Sequence, residues 1–333
     1  MNDFTDEPAL VSICCTTYNQ ESTIGQAIAS FLAQQTAFRV EILIGEDASS
    51  DNTQAIVARY AAAWPDRVKL IAQPVNQGAR KNLASLISRA GGRYIALCEG
   101  DDYWLDPTKL QRQVDFLEHH PDHVLCFHAV RMVNARGRSL GLGIRPFRGD
   151  RSCDATEIVR LAGIGIPTPA KVFRREAADP LPDWYHAAHV GDMARDLHLV
   201  TRGRFRYIDR PMAAYRTGLS GSWTRRLYSG PDILAKKQAM LRGDLALFAA
   251  YDSYTKQRYH EPIAARCTAI SLTSQLLGPA ALRARLRIWR ELSSAMGRRA
   301  AARQIVQTLI LIIYAGWQRL SADKRQRAAK HKP

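Results

Sequence analysis

Between residues 10 and 98 the chain switches repeatedly between two hydrophobic periods, and this alternation restricts its fold more than any other feature. Short apolar, β-rich runs stand at residues 10–16 (LVSICCT), 40–45 (VEILIG), 68–72 (VKLIA) and 94–98 (YIALC). Between them apolar residues recur at helical spacing, first Ile24, Ile28, Phe31 and Leu32, then Ile56, Val57 and Tyr60, then Leu83, Leu86 and Ile87. Strand, helix and strand in this succession build βαβ units, whose crossovers are right-handed and whose strands run parallel. The expected fold class is α/β, a Rossmann-like, mostly parallel sheet flanked by helices.

Trp64-Pro65-Asp66 and Asn76-Gln77-Gly78 end one element before the next begins. Asp106-Pro107 opens a further helix whose apolar stripe is Leu110, Val114 and Leu117. Residues 124–130 read as another strand, and the Gly- and Arg-rich stretch 134–149 as a hairpin or loop. From about Asp232 the sequence becomes long, Ala/Leu/Arg-rich and helical, interrupted near Pro262 and Gly278-Pro279. The expected division is a catalytic unit over 1–228 and a basic helical region over 229–333, the latter a candidate membrane-surface or oligomer contact.

With 333 residues, 46% of them hydrophobic, the chain has ordinary globular composition and is neither disordered nor collagen-like. Its net charge of +16 is unevenly placed: residues 1–125 carry −6, residues 126–280 carry +11, and residues 281–333 another +11. A nucleic-acid binder attracted by this charge would need basic residues where the ligand sits, and no nucleic-acid partner is expected. None of the six cysteines forms a C-x-x-C pair, which removes zinc-ribbon and thioredoxin-like readings, and adjacent Cys14 and Cys15 are expected to be packing residues. The start lacks a basic segment followed by an apolar core, so the expected compartment is the reducing cytosol.

Ligands of an open parallel sheet gather beyond the carboxyl ends of its strands. Here those ends carry Thr16-Thr17-Tyr18-Asn19, then Glu46-Asp47-Ala48-Ser49-Ser50-Asp51, then Glu99-Gly100-Asp101-Asp102-Tyr103-Trp104. Ser50 and Asp51 suit helix caps. Glu99, Asp101 and Asp102 place three carboxylates within four residues, which repel one another unless a proton or a cation neutralises them. Hard oxygen donors suit Mg²⁺ or Mn²⁺; the competing reading is a solvated acidic turn before the helix at Pro107. No glycine-rich dinucleotide or P-loop fingerprint follows the first strand, so a nucleotide here would be held through a metal bridge to its diphosphate.

In this order the runs VSICCTTYNQ, EILIGEDASSDNT, NQGARKNLASLISRAGGRYIALCEGDD and YWLDPTKL resemble the inverting glycosyltransferases of family 2, with GT-A fold, that build bacterial cell-surface polysaccharides. Counting the looser GDMARDLHLVTRGRFRYIDRPMAAYR, the likeness covers about the first 220 residues. It implies a nucleotide-diphospho-sugar donor, most commonly a UDP-sugar, and a hydroxyl on a glycan or lipid-linked acceptor. By the same resemblance Thr16 and Tyr18 line the base pocket, and Asp47 accepts a hydrogen bond from base or ribose. Arg80 and Asn82 fall in the segment that touches the nucleotide, Asn82 being equally readable as a helix cap. Glu99, Asp101 and Asp102 stand at the family's Asp-x-Asp motif, where one Asp ligates the metal and its neighbour contacts the ribose. Glutamate in the first place departs from that pattern.

The resemblance puts the catalytic base at Asp192 of the Gly191-Asp192 pair; Asp196 on the same helix face competes, and a helix N-cap is the plainer reading of Asp192. Arg216 and Trp223, within YRTGLSGSW, correspond to a segment that closes over the diphosphate, although a lone Trp is more often core. His186, His189 and His198 match no zinc spacing and read as acceptor-site or surface residues. The Q-x-x-R-W motif of processive synthases is absent, so one sugar per encounter is expected. A nucleotidyltransferase would carry a glycine-rich basic loop after the first strand, and a non-catalytic interaction module would have no need of Asp47, Asp101, Asp102 and Asp192.

Residues 305–317 (IVQTLILIIYAGW) lie within 15 uncharged positions between Arg303 and Arg319, too few for a spanning helix of roughly 20 apolar residues. Arginine-rich flanks with Tyr314 and Trp317 suit an interfacial helix on anionic lipid, and a packed helix of a bundle or dimer is the other reading. The expected location is peripheral, on the cytosolic face of the inner membrane.

Overall fold

The computed structural model describes residues 8–219, 232–276, 287–291 and 293–294. They fall into two compact units, one drawn from 1–186 with 191–216 and the other from 187–190 with 217–333. The first opens with β1 (Val11–Thr17), α1 (Ile24–Leu32), β2 (Val40–Glu46), α2 (Thr53–Ala63), β3 (Val68–Ala72), α3 (Ala79–Arg89) and β4 (Tyr94–Glu99). There follow β5 (Tyr103–Trp104), α4 (Lys109–His119), β6 (His123–Val133), β7 (Ser139–Ile144), β8 (Arg151–Cys153) and α5 (Ala155–Leu161). The unit closes with β9 (Val172–Arg174), α6 (Asp183–Ala187), α7 (Gly191–Val200) and β10 (Arg204–Arg216).

The strands form one sheet in the order β3-β2-β1-β4-β9-β6-β10-β5, with β7 on β6 and β8 on β10. β3, β2, β1 and β4 are mutually parallel, as is β6 with β10, whereas β9 runs antiparallel to both β4 and β6. β1 and β2 are covered on both faces, which is why they read as nearly unbroken apolar runs. Their polar exceptions satisfy each other: Ser12 Oγ donates to Glu41 Oε1 at 2.6 Å, and the same carboxylate takes the Gly91 N–H and the Lys69 ammonium. α1 lays Ile24, Ala27, Ile28 and Phe31 into the core, with the Phe31 ring 4.8 Å from that of Trp104. The stretch 134–149 is a hairpin arm, β7 returning along β6 after a turn at residues 134–138.

The second unit contains α8 (Ile233–Tyr254) and α9 (His260–Leu276), where Leu247, Phe248, Tyr251, Ile263 and Leu272 are buried. Within it His189 Nε2 lies 3.0 Å from an Asp244 carboxylate oxygen. No helix among the described residues is long and apolar enough to cross a membrane, and the 305–317 segment lies outside the described residues.

Candidate functional site

The pairing registers bring the three polar strand ends together. Thr16 of β1 stands between Gly45 of β2 and Glu99 of β4, so the tails beginning at Tyr18, Asp47 and Gly100 leave one edge side by side. Asn19 ties two of them: its Oδ1 accepts from Ser50 N at 2.8 Å, while Ser49 Oγ accepts from Asn19 N at 2.9 Å. Tyr18 is 42% exposed at this edge and Thr16 half-buried.

Beyond β4 the chain turns sharply, with Gly100 N donating to Thr16 O and Asp102 N to Glu99 O, both at 3.0 Å. A Cβ at Gly100 would come within 2.5 Å of Gln20 Oε1 and 2.8 Å of Thr17 Oγ1, so the turn needs glycine. It converges Glu99, Asp101 and Asp102, whose nearest carboxylate oxygens all lie within 4.8 Å of one another. Asp102 is buried; its Oδ1 accepts the Arg216 backbone N–H at 2.7 Å, and its Oδ2 has no hydrogen-bond partner. Burial, then the Asp101 and Asp192 charges, push the Glu99 carboxyl up to about 8. Burial also raises Asp101, and burial with the Asp101 and Glu99 charges raises Asp102 well above the usual carboxylate range. An oxygen-only donor set, one buried orphan oxygen and mutual repulsion fit a hard divalent cation. Among the described residues this is the one grouping of His, Cys, Asp and Glu with such geometry.

Asp192 sits exposed in the first turn of α7, one oxygen accepting the Met193 N–H at 2.7 Å. Asp196, one turn on, is buried and gripped by the buried Lys171 ammonium at 2.7 and 2.8 Å. Arg80 is exposed at the start of α3, and a Cβ at Gly191 would lie 3.4 Å from its side chain, which sets it beside the start of α7.

Four expectations are revised or reach beyond the described residues. Asn82 neither caps α3 nor faces the edge: it is wholly buried, its Nδ2 donating to Gly45 O of β2 at 2.7 Å. Arg216 is not an open clamp, because its guanidinium is engaged within the protein at every nitrogen. Nε donates to Asp101 O (2.7 Å), Nη1 to Ala135 O (3.1 Å) and Nη2 to Gln26 Oε1 (2.6 Å), and the group lies 5.3 Å from the Tyr103 ring centre. Trp223 lies outside the described residues. Asp47 is on the edge, but both its oxygens accept backbone N–H groups, from Gln77 at 2.8 Å and Gly78 at 2.9 Å, so it shapes the loop entering α3.

Glu46, counted among the polar strand ends but given no role of its own, is wholly buried, its Oε1 accepting from Ser49 N and its Oε2 unpartnered; Gln26, the acceptor for Arg216, was not among the candidates. A glutamate ending an otherwise apolar buried strand was the available signal for the first; nothing local marks the second. His186 is exposed and His198 buried, and neither they nor His189 join the acidic cluster.

Residues 12–177 match the sequence profile of glycosyl transferase family 2. An uncharacterised protein of Mycobacterium tuberculosis is 38% identical over 222 residues, 64% of this chain and 60% of that one, so the chain spans about 60% of the length of the mycobacterial relatives it matches. UDP-Glc:α-D-GlcNAc-diphosphoundecaprenol β-1,3-glucosyltransferase WfgD of Escherichia coli is 36% identical over 108 residues, 32% of this chain and 41% of its own. Among solved structures, residues 1–349 of Staphylococcus aureus TarS in complex with UDP-GlcNAc superpose with a TM-score of 0.52 at 15% identity, covering 91% of this chain and 90% of that one. That likeness is one of fold.

Proposed function

Because the chain belongs to glycosyl transferase family 2, matched over residues 12–177, we propose that it moves a sugar from a UDP-sugar to a hydroxyl of a glycan or lipid-linked acceptor in cell-surface polysaccharide assembly, with inversion. It is a transferase of GT-A-like fold, and UDP as the nucleotude carrier is supported by the E. coli relative's named donor and by the UDP-sugar bound in the S. aureus neighbour. The observation that carries the reading is the convergence of Glu99, Asp101 and Asp102 at a strand edge with the exposed Asp192 close enough to perturb Glu99.

Asp101 and Asp102 would hold Mg²⁺ or Mn²⁺, which when bound neutralises charge on the donor diphosphate. Asp192 has one oxygen on Met193 N and the other available for the acceptor hydroxyl. It takes the hydroxyl proton as that oxygen forms a bond to the anomeric carbon and the bond to the nucleoside diphosphate breaks, the diphosphate leaving with the electron pair. Asp196 is unsuited, being buried and committed to Lys171. Tyr18 offers an exposed ring for base stacking, with Thr16 beside it; Asp47 holds the Gln77-Gly78 loop that borders the same edge, and Arg80 stands at the entrance to α7.

A thermal-shift panel of nucleotide-sugars with Mn²⁺ or Mg²⁺, followed by transfer assays, tests this. Asp102→Asn should lose donor-dependent stabilisation; Asp192→Asn should keep it and transfer nothing. Full transfer by both variants would overturn the assignment. The 13 Lys/Arg against 2 Asp/Glu in residues 281–333 support a peripheral place on an anionic cytosolic membrane face, at roughly 1 kcal/mol per basic residue near the surface. The full chain should float with phosphatidylglycerol vesicles and not with phosphatidylcholine ones; failure to float with either removes the membrane from the proposal.

A further inference from the structure

From Asp122 to Asp150 there is no acidic residue between the two, while the interval contains Arg131, Arg136, Arg138, Arg145 and Arg148. Four arginines of this unit are neutralised by carboxylates: Arg145 by Asp209, Arg151 by Glu157, Arg206 by Asp150 and Arg210 by Asp106. Arg131, Arg136 and Arg138, on the β6–β7 hairpin, are exposed and form no ion pair among the described residues. An exposed basic residue is ordinarily just solvated, but two features set these apart.

The first is preorganisation. Asn134 Oδ1 accepts both Arg136 N (2.9 Å) and Arg138 N (3.0 Å), and Gly137 N donates to Asn134 O (2.9 Å), so the turn is fixed by its own hydrogen bonds. Arg131 stands in register between Gly143 of β7 and Ala214 of β10, neighbours too small to cover it. Gly143 has no room for a side chain there, since a Cβ would lie 2.4 Å from Val130 O.

The second is attachment to the acidic site. One guanidinium, that of Arg216, bridges Ala135 O of the turn and Asp101 O, and Tyr103 OH donates to Gly137 O at 3.4 Å. The cationic hairpin is therefore built onto the same brace as the acidic loop. An acidic cluster repels an anionic co-substrate, and exposed guanidiniums on a hairpin fixed to the same brace offset that repulsion; a neutral sugar acceptor would need none.

We infer that the β6–β7 hairpin is the acceptor-docking element and that Arg131, Arg136 and Arg138 bind phosphate carried by the acceptor. The inference rests on the acidic edge being the donor site, and it specifies the acceptor class as phosphate- or diphosphate-bearing.

The test compares the full chain with its Arg131→Gln/Arg136→Gln/Arg138→Gln variant, using dodecyl diphosphate below its micellar concentration in metal-free buffer. Binding to wild type should weaken with added salt, and the variant should bind at least tenfold more weakly. Dodecyl maltoside, the uncharged control, should not distinguish the two. Circular dichroism and UDP–Mn²⁺ binding should be the same for both, which excludes a folding defect. Should UDP–Mn²⁺ fail to bind wild type while alkyl diphosphate binding still depends on the arginines, the donor reading falls and the phosphate surface stands. Equal dodecyl diphosphate affinity in the two proteins overturns the inference. So does a variant that keeps this affinity but loses flotation with phosphatidylglycerol vesicles, which would make lipid headgroups the source of the phosphate.

Discussion

Arg216 joins parts of the chain that the sequence keeps far apart. Its backbone N–H holds Asp102 across 114 residues, and its side chain reaches Asp101, Ala135 and Gln26 from a buried position over Tyr103. Gly100 makes the complementary contribution, letting the acidic turn approach Gln20 and Thr17 more closely than any side chain permits. Lysine at 216 would keep the charge but not the planar fork, so at most part of this set survives. Loss of one or two buried hydrogen bonds costs about 1–3 kcal/mol, here expressed as misplacement of Asp101 and Asp102. Arg216→Lys is expected to weaken Mn²⁺ binding about tenfold or more by titration while leaving the far-ultraviolet circular dichroism unchanged. Unaltered Mn²⁺ affinity would show that the brace does not set the carboxylates. Because Arg216 is a positioning residue, the loss should appear in cation affinity first and in donor affinity only through it.

At the level of elements, what could be read in advance was whatever depends on local period. β1, β2, β3 and β4 appear where apolar runs stood, and α1 and α4 bury the stripes that spacing assigned them. The acidic turn was legible because three carboxylates within four residues repel one another wherever the fold brings them together, although a solvated turn would have satisfied the same pattern. β9 was not, since three residues gain strand geometry only from β4 and β6 on either side. β5, two residues long, exists only as the partner of β10. Asn82 misled for a related reason: on α3 it is as deeply buried as Leu86, because its amide satisfies the Gly45 carbonyl and no apolar residue could. Arg216 misled in the opposite sense. A basic residue near a presumed diphosphate suggests a ligand contact, and only the tertiary structure shows each of its three nitrogens already engaged within the protein.

Across the whole molecule, the buried ionisable groups give the metal-free protein an uneven dependence on pH. Glu99 titrates in the fold at about 8, raised by burial and then by Asp101 and Asp192, against about 4.3 in an unfolded chain. The folded state therefore retains a proton that the unfolded state releases, and the stability this confers is lost as pH rises from about 4 through about 8. Lys109 acts with the opposite sign. Wholly buried, its Nζ 4.1 Å from the Trp104 ring centre and without a hydrogen-bond partner, it is lowered by burial to about 7, against about 10.4 unfolded. Over roughly pH 7–10 the unfolded state holds the extra proton, so stability recovers as pH rises. Asp209, held to about 2 by Arg145 and also bonded to Gly149 and Tyr207, contributes above about pH 4 and sets only the acid limit. In EDTA the melting temperature should accordingly pass through a trough near pH 7–8. A divalent cation binds the carboxylates deprotonated, so it should fill the acid side of that trough and do little at pH 5. Lys109→Met should raise the floor of the trough and flatten its alkaline side, leaving the cation response intact. Each kcal/mol moves the midpoint of a protein this size by about 2–4 °C, within reach of scanning fluorimetry. A flat EDTA profile from pH 5 to 9, or a larger Mn²⁺ stabilisation at pH 5 than at pH 8, would mean that these carboxylates are not forced together in the fold and that the edge is an ordinary solvated turn.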